Sequence, residues 1–465
     1  MNKWLLWLLA ICLPCGQALA QVPRSRHVWL VAEENHSFED AEAAMPYLMA
    51  VGSQYGIAAQ YYADMHNSLS ALMHLTAGQT VTTDDNTPDT FNVDNLVRHM
   101  VKKGLSFRSY QQGLPNAGFL GLWSGHYVKR HNPLAYFSDV ADSSLRFQLV
   151  PLPQLASDLK EGKTADFNYV TPDLDNDAHD GSLQAADEWL RQQLPSILAL
   201  PEFQPGGDGL LFVVFDEGNL GSNPDFRCNA SNSDSNCGGR VLTVVAGPNV
   251  RRGFESQTFY NHESLLATVC QALGTDGCPG KADKAQAMAD FFIAPLVISP
   301  AATTVSQGQT AQYALSVSPV SGFYDAEVKF SCGQLPSGMQ CAFAPGKVWP
   351  TSGGATTTLA VTTSANSARL SQPFGNPLSR LAFWLCAPGL AVVFPRFSRR
   401  KCRLVLTTAA VAMILFFCFA CGGISKSFSP SSGGASSEGR SYSIEVTAKS
   451  SSASFTVPVQ LRVTN

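Results

Sequence analysis

The sequence predicts an α/β domain with a doubly wound, mostly parallel sheet over residues 24–292. Two continuously apolar runs, residues 28–31 and 210–215, are rich in β-branched and aromatic side chains, which is typical of strands buried on both faces of a parallel sheet. Strand-like and helix-like patterns alternate along this region, as expected when helices cover a parallel sheet. The chain has 465 residues, which is enough for two or three domains.

The other elements of this domain follow from the periodicity of the apolar side chains. Short runs rich in apolar residues predict additional core strands, and apolar positions spaced three or four residues apart predict helices. The predicted strands are residues 57–62, 167–170 and 241–246, and the predicted helices are residues 93–103, 183–200 and 262–273.

A β-rich region follows. Residues 295–365 are rich in Thr, Ser, Val and Gly and contain short alternating runs, such as 310–317 and 326–331, which predict an immunoglobulin-like β-sandwich. Residues 331–341 resemble a hairpin common in bacterial immunoglobulin-like repeats. After a Ser/Gly-rich linker, residues 440–465 are predicted to supply the final strands of the same sandwich.

Two apolar runs interrupt this sandwich. They lie on either side of a basic loop, residues 396–403, and together the three segments predict a transmembrane hairpin over residues 381–421. The positive-inside rule would place the basic loop in the cytoplasm. The alternative is a single membrane anchor followed by a disordered tail.

The N-terminus and the cysteines both indicate export. Residues 1–20 resemble a secretory signal peptide, with Lys3 before an apolar run and an Ala-x-Ala cleavage site at residues 18–20. We therefore expect a periplasmic or cell-surface protein, anchored in the membrane near its C-terminus. Three close cysteine pairs are predicted to form local disulfides in an oxidising compartment, namely Cys228/Cys237, Cys270/Cys278 and Cys332/Cys341. Free or metal-binding thiols are the weaker alternative, because no pair has Cys-x-x-Cys spacing.

Acidic motifs follow both long apolar runs. Glu34-Asn35 closely follows the first run, and Asp216-Glu217 directly follows the second. Open α/β sheets bind ligands outside the carboxyl ends of their strands, so we expect these side chains to lie close together. Carboxylates gathered in one place repel one another unless a cation lies between them, which predicts a divalent metal ion. Taken alone, each motif would more often be a helix cap or a solvated turn.

The order of five motifs along residues 27–275 is more specific than any one of them. These motifs are Glu34-Asn35, residues 65–69, residues 176–181, Asp216-Glu217 and residues 260–264. In this order they resemble the bacterial phosphoesterase family of acid phosphatases and phosphatidylcholine-type phospholipases C, a branch of the alkaline-phosphatase-like superfamily. The resemblance implies metal-assisted phosphoryl transfer through a covalent Ser or Thr intermediate. It also implies that Glu34, Asn35, Asp216 and Glu217 bind the metal.

The resemblance places the nucleophile at Ser68. A helix is predicted to begin there, and its N-terminal N–H groups and dipole would favour a phosphoryl group. Without the other motifs, a plain helix cap would be the better interpretation of Ser68. Many relatives have Ser-Leu-Pro-Asn-Tyr where this chain has Ser-Leu-Ser-Ala-Leu at residues 68–72. The missing asparagine could have contacted a phosphoryl oxygen, and Ser70, His66 or Asn67 are candidates to replace it.

Three histidines are candidates for catalysis. His179 and His262 lie in the family motifs, and each can ligate a metal or hydrogen-bond a phosphoryl oxygen. His131 is a candidate general acid or phosphate contact, although a packed structural histidine is nearly as consistent with its surroundings. Asp177 could be a metal ligand or could orient one of these histidines. Asp175 and Asp180 are assigned to solvated turns, and His36 and His74 to structural roles.

These observations predict an exported, metal-dependent phosphoesterase that hydrolyses phosphate monoesters through a phosphoserine. One alternative is a phospholipase C or phosphodiesterase acting on phospholipid, and another is an inactive surface binding protein. Oxygen ligands suit Ca, Mg, Mn or Fe, and added histidines would permit Zn. The net charge of −4 and the absence of a basic stripe argue against nucleic acid as a partner. A sulfatase is disfavoured, since neither Cys-x-Pro-x-Arg nor Ser-x-Pro-x-Arg occurs.

Overall fold

The computed structural model describes residues 21–219, 227–229, 232–233, 237–364 and 439–465. The strands of its α/β region are β1 (Val28–Glu33), β2 (Gly56–Ala58), β3 (Tyr61–Ala63), β4 (Phe107–Gln111), β5 (Trp123–Ser124), β6 (Tyr127–Val128), β7 (Leu149–Pro151), β8 (Phe167–Thr171), β9 (Leu210–Phe215), β10 (Arg227–Asn229), β11 (Asn232–Ser233), β12 (Gly239–Arg240), β13 (Thr243–Ala246), β14 (Phe254–Ser256) and β15 (Tyr260–Asn261). Its helices are α1 (Phe38–Ala44), α2 (Pro46–Gln54), α3 (Ser68–Ala77), α4 (Leu96–Lys102), α5 (Ser138–Ala141), α6 (Gln154–Glu161), α7 (Leu183–Leu198) and α8 (His262–Leu273). Short 3₁₀ helices include Lys129–His131, Pro133–Tyr136 and Ser144–Gln148.

An eight-stranded, mostly parallel sheet forms the centre of this region. Its order is β14-β2-β13-β9-β1-β8-β4-β7, and the five strands from β9 to β7 run parallel. All six residues of β1 and of β9 are buried, which explains why both strands are continuously apolar apart from Glu33. The prediction of a mixed α/β fold with a large, mostly parallel sheet is therefore confirmed.

Two predicted strands differ from the observed ones. The run 57–62 is divided between β2 and β3, which belong to different sheets because the chain turns at residues 59–60. The run 241–246 contributes β13, which pairs antiparallel with β9. The predicted helix 93–103 begins later, at Leu96, since the side chain of Asn95 accepts a hydrogen bond from the backbone N–H of Arg98 and caps the helix.

The C-terminal region consists of two further sheets around one hydrophobic core. Its strands are β16 (Leu296–Ser299), β17 (Ala302–Ser306), β18 (Thr310–Val317), β19 (Val328–Cys332), β20 (Met339–Ala344), β21 (Lys347–Val348), β22 (Ala355–Thr363), β23 (Arg440–Lys449) and β24 (Ser454–Thr464). The sheet orders are β16-β18-β22-β20 and β17-β24-β23-β19-β21. An immunoglobulin-like assignment of this region stays a prediction.

The predicted hairpin at residues 331–341 is wrong. Strand β19 pairs with β23 and β21, whereas β20 pairs with β22 in the other sheet. Residues 333–338 therefore cross from one sheet to the other, and the disulfide Cys332–Cys341 links the two sheets. The other predicted disulfides, Cys228–Cys237 and Cys270–Cys278, are also present.

Two predicted segments lie outside the described residues. These are the signal peptide, residues 1–20, and the transmembrane hairpin, residues 381–421. Among the helices that the structure does describe, none combines the length and the apolar character needed to span a bilayer.

Candidate active site

The carboxyl ends of three neighbouring strands bring the acidic motifs together. Glu34 follows β1, Asp216 and Glu217 follow β9, and Asp177 lies in the loop after β8. The order β9-β1-β8 in the sheet explains why these motifs meet although they are far apart in sequence. All four carboxylates are buried.

Glu34 joins the serine and a histidine. The hydroxyl of Ser68 donates a hydrogen bond of 2.9 Å to Glu34 Oε2. His131 Nε2 lies 3.1 Å from Glu34 Oε1, and His131 Nδ1 lies 2.9 Å from Asp177 Oδ2. The other oxygen of Asp177 accepts the backbone N–H of His179 at 2.8 Å. Ligand atoms of Glu34, His131 and His179 all lie within 4.8 Å of one another.

Asp216 and Glu217 form the other side of the group. Asp216 Oδ1 accepts the backbone N–H groups of Asn35 at 3.0 Å and Glu217 at 2.7 Å. Asn35 thus contacts the site through its backbone. Glu217 Oε2 accepts the backbone N–H of Asn67, and it lies 3.1 Å from His66 Nδ1. The two acidic motifs and the start of α3 are therefore connected directly.

Burial dominates the electrostatics of the carboxylates. It raises the pKa of Asp177 and of Asp216 to about 7 and that of Glu217 to about 9, and neighbouring carboxylates add to each shift. The pKa of Glu34 is raised for the same reasons. Without a cation, these groups are held towards their protonated forms.

The histidine at the centre is held neutral. Burial lowers the pKa of His131 well below its usual value, and the positive charges of Arg130 and His179 lower it further. A neutral imidazole can offer a ring nitrogen to a cation or accept a proton.

The unpaired atoms of the group fit a divalent cation. Among the described residues, Asp216 Oδ2 and His131 Nε2 are buried and have no hydrogen-bond partner. His131 Nε2 is close to Glu34 but is not aligned with it for a hydrogen bond. Buried polar atoms of this kind are costly unless something binds them. Carboxylate oxygens and imidazole nitrogens are ligands for divalent metals, so the residues fit the predicted metal centre.

Helix α3 begins at Ser68, as predicted, but its N-terminus already has an acceptor. The backbone N–H of Leu69 donates to Asp85 Oδ1 at 2.9 Å, and the side chain of Asn67 donates to Asp85 Oδ2 at 2.9 Å. We expected the N–H groups at the start of α3 to be free to bind a phosphoryl group. For Leu69 this expectation is wrong, because its N–H already donates to Asp85. Sequence reasoning missed Asp85 because it lies in an irregular loop and belongs to none of the family motifs.

The side chain of Ser70 is hydrogen-bonded away from Ser68. The hydroxyl of Ser70 donates to the backbone carbonyl of Thr82, which fixes the loop after α3. Ser70 therefore does not replace the phosphoryl contact that the missing asparagine could have made. His66 and Asn67 lie closer to the carboxylates, and each has a buried polar atom, Nε2 and Oδ1 respectively, that is unpaired among the described residues.

His262 lies behind the carboxylates. Its Nε2 is 2.6 Å from the backbone carbonyl of Asp216, and its Nδ1 is 3.0 Å from the hydroxyl of Tyr61. Burial lowers the pKa of His262 to about 3. Because both ring nitrogens are engaged, this arrangement contradicts a direct catalytic role for His262 and indicates that it positions Asp216.

The remaining predicted residues line one side of the site. His179 Nε2 lies 3.3 Å from Arg130 Nη2, and His179 Nδ1 lies 2.8 Å from Asp180. Asp175 pairs with His126 at 2.9 Å, and both of these side chains are exposed. Arg130 was not singled out from the sequence, although its place directly before His131 could have indicated it.

The sequence as a whole matches a family model. The model of the Phosphoesterase family matches residues 36–275, just over half of the chain. The chain belongs to the Phosphoesterase family. This result confirms the resemblance drawn from the five motifs, all but the first of which lie within the matched residues.

Several relatives found by sequence carry phosphatase names. The chain is 28% identical over 264 residues to the phosphatidylinositol-3-phosphatase of Mycobacterium tuberculosis, and the match covers 56% of this chain and 80% of that protein. It is 29% identical over 258 residues to an acid phosphatase of Aspergillus fumigatus, covering 52% of this chain and 53% of that protein. A phosphate-repressible acid phosphatase of Penicillium chrysogenum is 29% identical over 254 residues, with 52% and 57% covered. The chain thus spans about half the length of these fungal relatives.

A solved structure was matched more weakly. The phosphonate monoester hydrolase of Agrobacterium radiobacter is 13% identical, with a TM-score of 0.36 over 54% of this chain and 74% of that chain. Similarity at this level supports no conclusion about activity. Family membership and the sequence relatives together identify the Phosphoesterase family member described here as a hydrolase that acts on phosphoric ester bonds.

Proposed function

We propose that this protein is an exported, metal-dependent phosphatase that cleaves phosphate monoesters through a phosphoserine at Ser68. The observation that carries the proposal is the hydrogen bond from the Ser68 hydroxyl to Glu34, inside a buried group of four carboxylates and two histidines. A serine hydroxyl is a weak nucleophile unless a base or a nearby cation activates it. Glu34 would supply the base, and a metal ion held by the carboxylates would supply the cation.

The metal would be held by the side chains that meet at the sheet edge. We assign Glu34, Asp216 and Glu217 as ligands, with Asp177 and Asn35 close enough to complete or support the set. A bound divalent cation would neutralise phosphoryl charge and lower the pKa of the serine. His131 and His179 offer further ligand atoms within the same group.

Each transfer step can be assigned to residues of the site. Ser68 Oγ forms a bond to phosphorus while the bond from phosphorus to the alcohol oxygen breaks, and Glu34 Oε2 accepts the serine proton. Arg130 and His179 lie together on one side, where the N–H groups of Arg130 can stabilise phosphoryl charge and a protonated His179 can give its proton to the leaving alcohol. Water then attacks phosphorus and gives a proton to His179, the bond to Ser68 breaks, and Ser68 Oγ takes back its proton from Glu34. His131, between Glu34 and Asp177, can relay protons between the steps.

The relatives favour monoesters over diesters. The proteins matched by sequence are named phosphatases. Export is supported by the predicted signal peptide and by three disulfides in the described residues, since such bonds persist in oxidising compartments.

A pair of serine variants tests this function. Ser68→Ala should lower kcat/KM for p-nitrophenyl phosphate by about 1,000-fold or more, because removal of a nucleophile abolishes the covalent route. Ser70→Ala is the matched control, since it removes a serine of the same helix that faces away from Glu34. Wild type incubated with ³²P-labelled substrate and quenched in acid should retain label on Ser68, and chelation should abolish turnover.

Three outcomes would contradict the proposal. Full activity in Ser68→Ala would exclude a phosphoserine, and full activity after exhaustive chelation would exclude metal dependence. A clear preference for p-nitrophenylphosphorylcholine would identify a phosphodiesterase or phospholipase C.

A further inference from the structure

Exposed apolar side chains lie in the chain segments that precede and follow the site residues Arg130 and His131. We call this set the aromatic rim and define it as residues 119–123 together with Phe147. Trp123 is 67% exposed and Phe147 is 52% exposed. They are two of the three large hydrophobic side chains that are exposed in the described part of the α/β region. Exposed apolar side chains that cluster in one place usually mark a binding surface.

Local contacts hold both segments of the rim in place. Gly118 packs against the ring of Phe147, and its backbone N–H donates to the carbonyl of Leu149 at 2.9 Å. The ring of Phe119 meets the buried ring of Tyr127 edge-on, with centroids 6.0 Å apart. Trp123 in β5 pairs with Val128 in β6. These contacts fix the loop that carries the apolar side chains.

The hairpin β5–β6 connects the rim to the catalytic residues. The backbone carbonyl of Leu122 accepts the N–H of Lys129, which directly precedes Arg130 and His131. At the turn of the hairpin, His126 accepts the N–H of Leu174 through its carbonyl and pairs with Asp175. The loop after β8, which contains Leu174 and Asp175, also carries Asp177 and His179. Hydrogen bonds therefore connect the segment that carries Trp123 with the loops that supply the site residues, and we call the hairpin and residues 143–157 the wall of the site.

The charges of this wall suit an anion with an apolar part. Residues 109–138 and 143–157 contain no Asp or Glu, whereas Arg130 and Arg146 supply positive charge. Arg130 lies against His179, and Arg146 lies over the ring of Phe147. The neighbouring loop carries acidic groups, but each has a partner: Asp173 accepts from Asn176, Asp175 pairs with His126, and Asp180 pairs with His179. Asp177 of the same loop belongs to the proposed metal centre.

We infer that the aromatic rim binds the apolar alcohol part of the substrate, so that the preferred esters are amphiphilic phosphate monoesters with a long alkyl or aryl group. This inference rests on the proposed function, because it requires the phosphoryl group to sit among Glu34, Asp216 and Ser68. Trp123 and Phe147 are then specificity-determining residues that act on binding. They take no part in bond cleavage.

The test compares two phosphonates that cannot be hydrolysed. Methylphosphonate and octylphosphonate bind the same phosphoryl site, but only the octyl chain can reach the rim. In calorimetric titrations of the full-length, metal-loaded protein, octylphosphonate should bind about tenfold more tightly or better, since even partial burial of its extra carbons is favourable. Trp123→Ala and Phe147→Ala should each remove most of this preference and leave the affinity for methylphosphonate unchanged.

Two control variants separate the rim from general effects. Trp349→Ala removes a tryptophan of similar exposure, 48%, in the C-terminal β region and should retain the full preference. Trp123→Phe should retain most of it, because an aromatic ring remains at the rim. In turnover assays with butyl and octyl phosphate, Trp123→Ala should raise KM for the octyl ester while kcat stays the same.

The outcomes distinguish the inference from the proposed function. If wild type binds both phosphonates equally well, or if Trp123→Ala keeps the preference, the rim does not bind substrate and the phosphatase proposal still stands. If neither phosphonate binds and no monoester is cleaved, the proposed function and the inference both fail.

Discussion

Among the described residues of the α/β region, two largely buried groups of histidines and carboxylates could hold a metal ion, and they differ in how completely their atoms are paired. The first contains Glu34, His131 and His179, and the second contains Asp64, His74 and Glu263. In the second group, His74 Nδ1 lies 3.0 Å from Glu263 Oε1, and His74 Nε2 lies 3.0 Å from Thr80 Oγ1. Asp64 accepts N–H groups from Asn261 at 2.7 Å and His262 at 3.0 Å.

The charges of the second group are balanced around Glu263, although burial raises the pKa of Asp64 to about 7. Burial alone would raise the pKa of Glu263, but the hydrogen bond and charge of His74 and the charge of Lys281 lower it overall. In the first group every carboxylate pKa is raised, and buried atoms are unpaired, whereas no side-chain atom of Asp64, His74 or Glu263 is buried without a partner. Residue types alone therefore do not distinguish a ligand site from a structural network. The distinguishing property is whether the polar atoms already have partners.

The largest expected difference is in catalysis. Glu34→Gln should lower kcat/KM by about 1,000-fold, because it removes both the acceptor of the Ser68 proton and a metal ligand. Its thermal stability should not fall, since it removes a buried carboxyl group with a raised pKa. Steady-state kinetics and a melting curve measure the two effects.

Glu263→Gln is the matched change in the second group. It should destabilise the protein by about 2 kcal/mol, because it breaks a buried pair with His74, while kcat of the folded protein stays close to that of wild type. If both variants lost activity equally without loss of stability, the two groups would not differ in the way described.

The next effect is on the pH dependence of stability. Burial raises the pKa of Glu217 from 4.5 to about 9, so in the metal-free protein its contribution to stability is present below pH 4.5 and is lost as the pH rises towards 9. Between pH 7 and pH 9, chelated wild type should therefore lose stability relative to chelated Glu217→Gln. Urea denaturation at several pH values measures this difference.

Metal should reverse the trend. A divalent cation binds the ionised carboxylates, so the stabilisation of wild type by added metal should grow with pH over the same range. Parallel pH profiles for chelated wild type and Glu217→Gln would show that Glu217 is not held protonated.

The smallest expected effect concerns Asp85. This residue lies next to the first group, but both of its carboxylate oxygens accept hydrogen bonds, as those of Asp64 do in the second group. Asp85→Ala should destabilise the protein by about 1 kcal/mol, because α3 loses the acceptor at its N-terminus. Asp85→Asn keeps an acceptor oxygen and should cost less. Equal stability of Asp85→Ala and wild type in urea would mean that water replaces the carboxylate without cost.

The sequence predicted the site better than its surroundings. Glu34, Asp216 and Glu217 could be grouped because each follows an apolar strand, and strand ends converge in a parallel sheet. Asp85 could not be found in this way, because its position depends on an irregular loop. It was also unpredictable that both ring nitrogens of His262 have hydrogen-bond partners, since the hydroxyl of Tyr61 and the carbonyl of Asp216 approach the ring only in the folded structure.

The same limit applies to the fold. Strand β1 and strand β9 were predictable because complete burial leaves a continuous apolar run. The direction of β13 was not, because an antiparallel strand buried in the same sheet has the same composition. At residues 331–341, spacing suggested a hairpin, but the pairing partners of β19 and β20 are distant in sequence.

The pairing of the last two strands determines when the C-terminal region can be completed during synthesis. Strands β23 and β24 lie between β17 and β19, so they join parts of one sheet that are otherwise not in contact through hydrogen bonds. A ribosome that has translated only as far as residue 364 holds a nascent chain in which β17 and β19 still present open edges. Such edges are prone to pair with other chains. The protein therefore depends on β23 and β24 to protect strands that were made more than a hundred residues earlier.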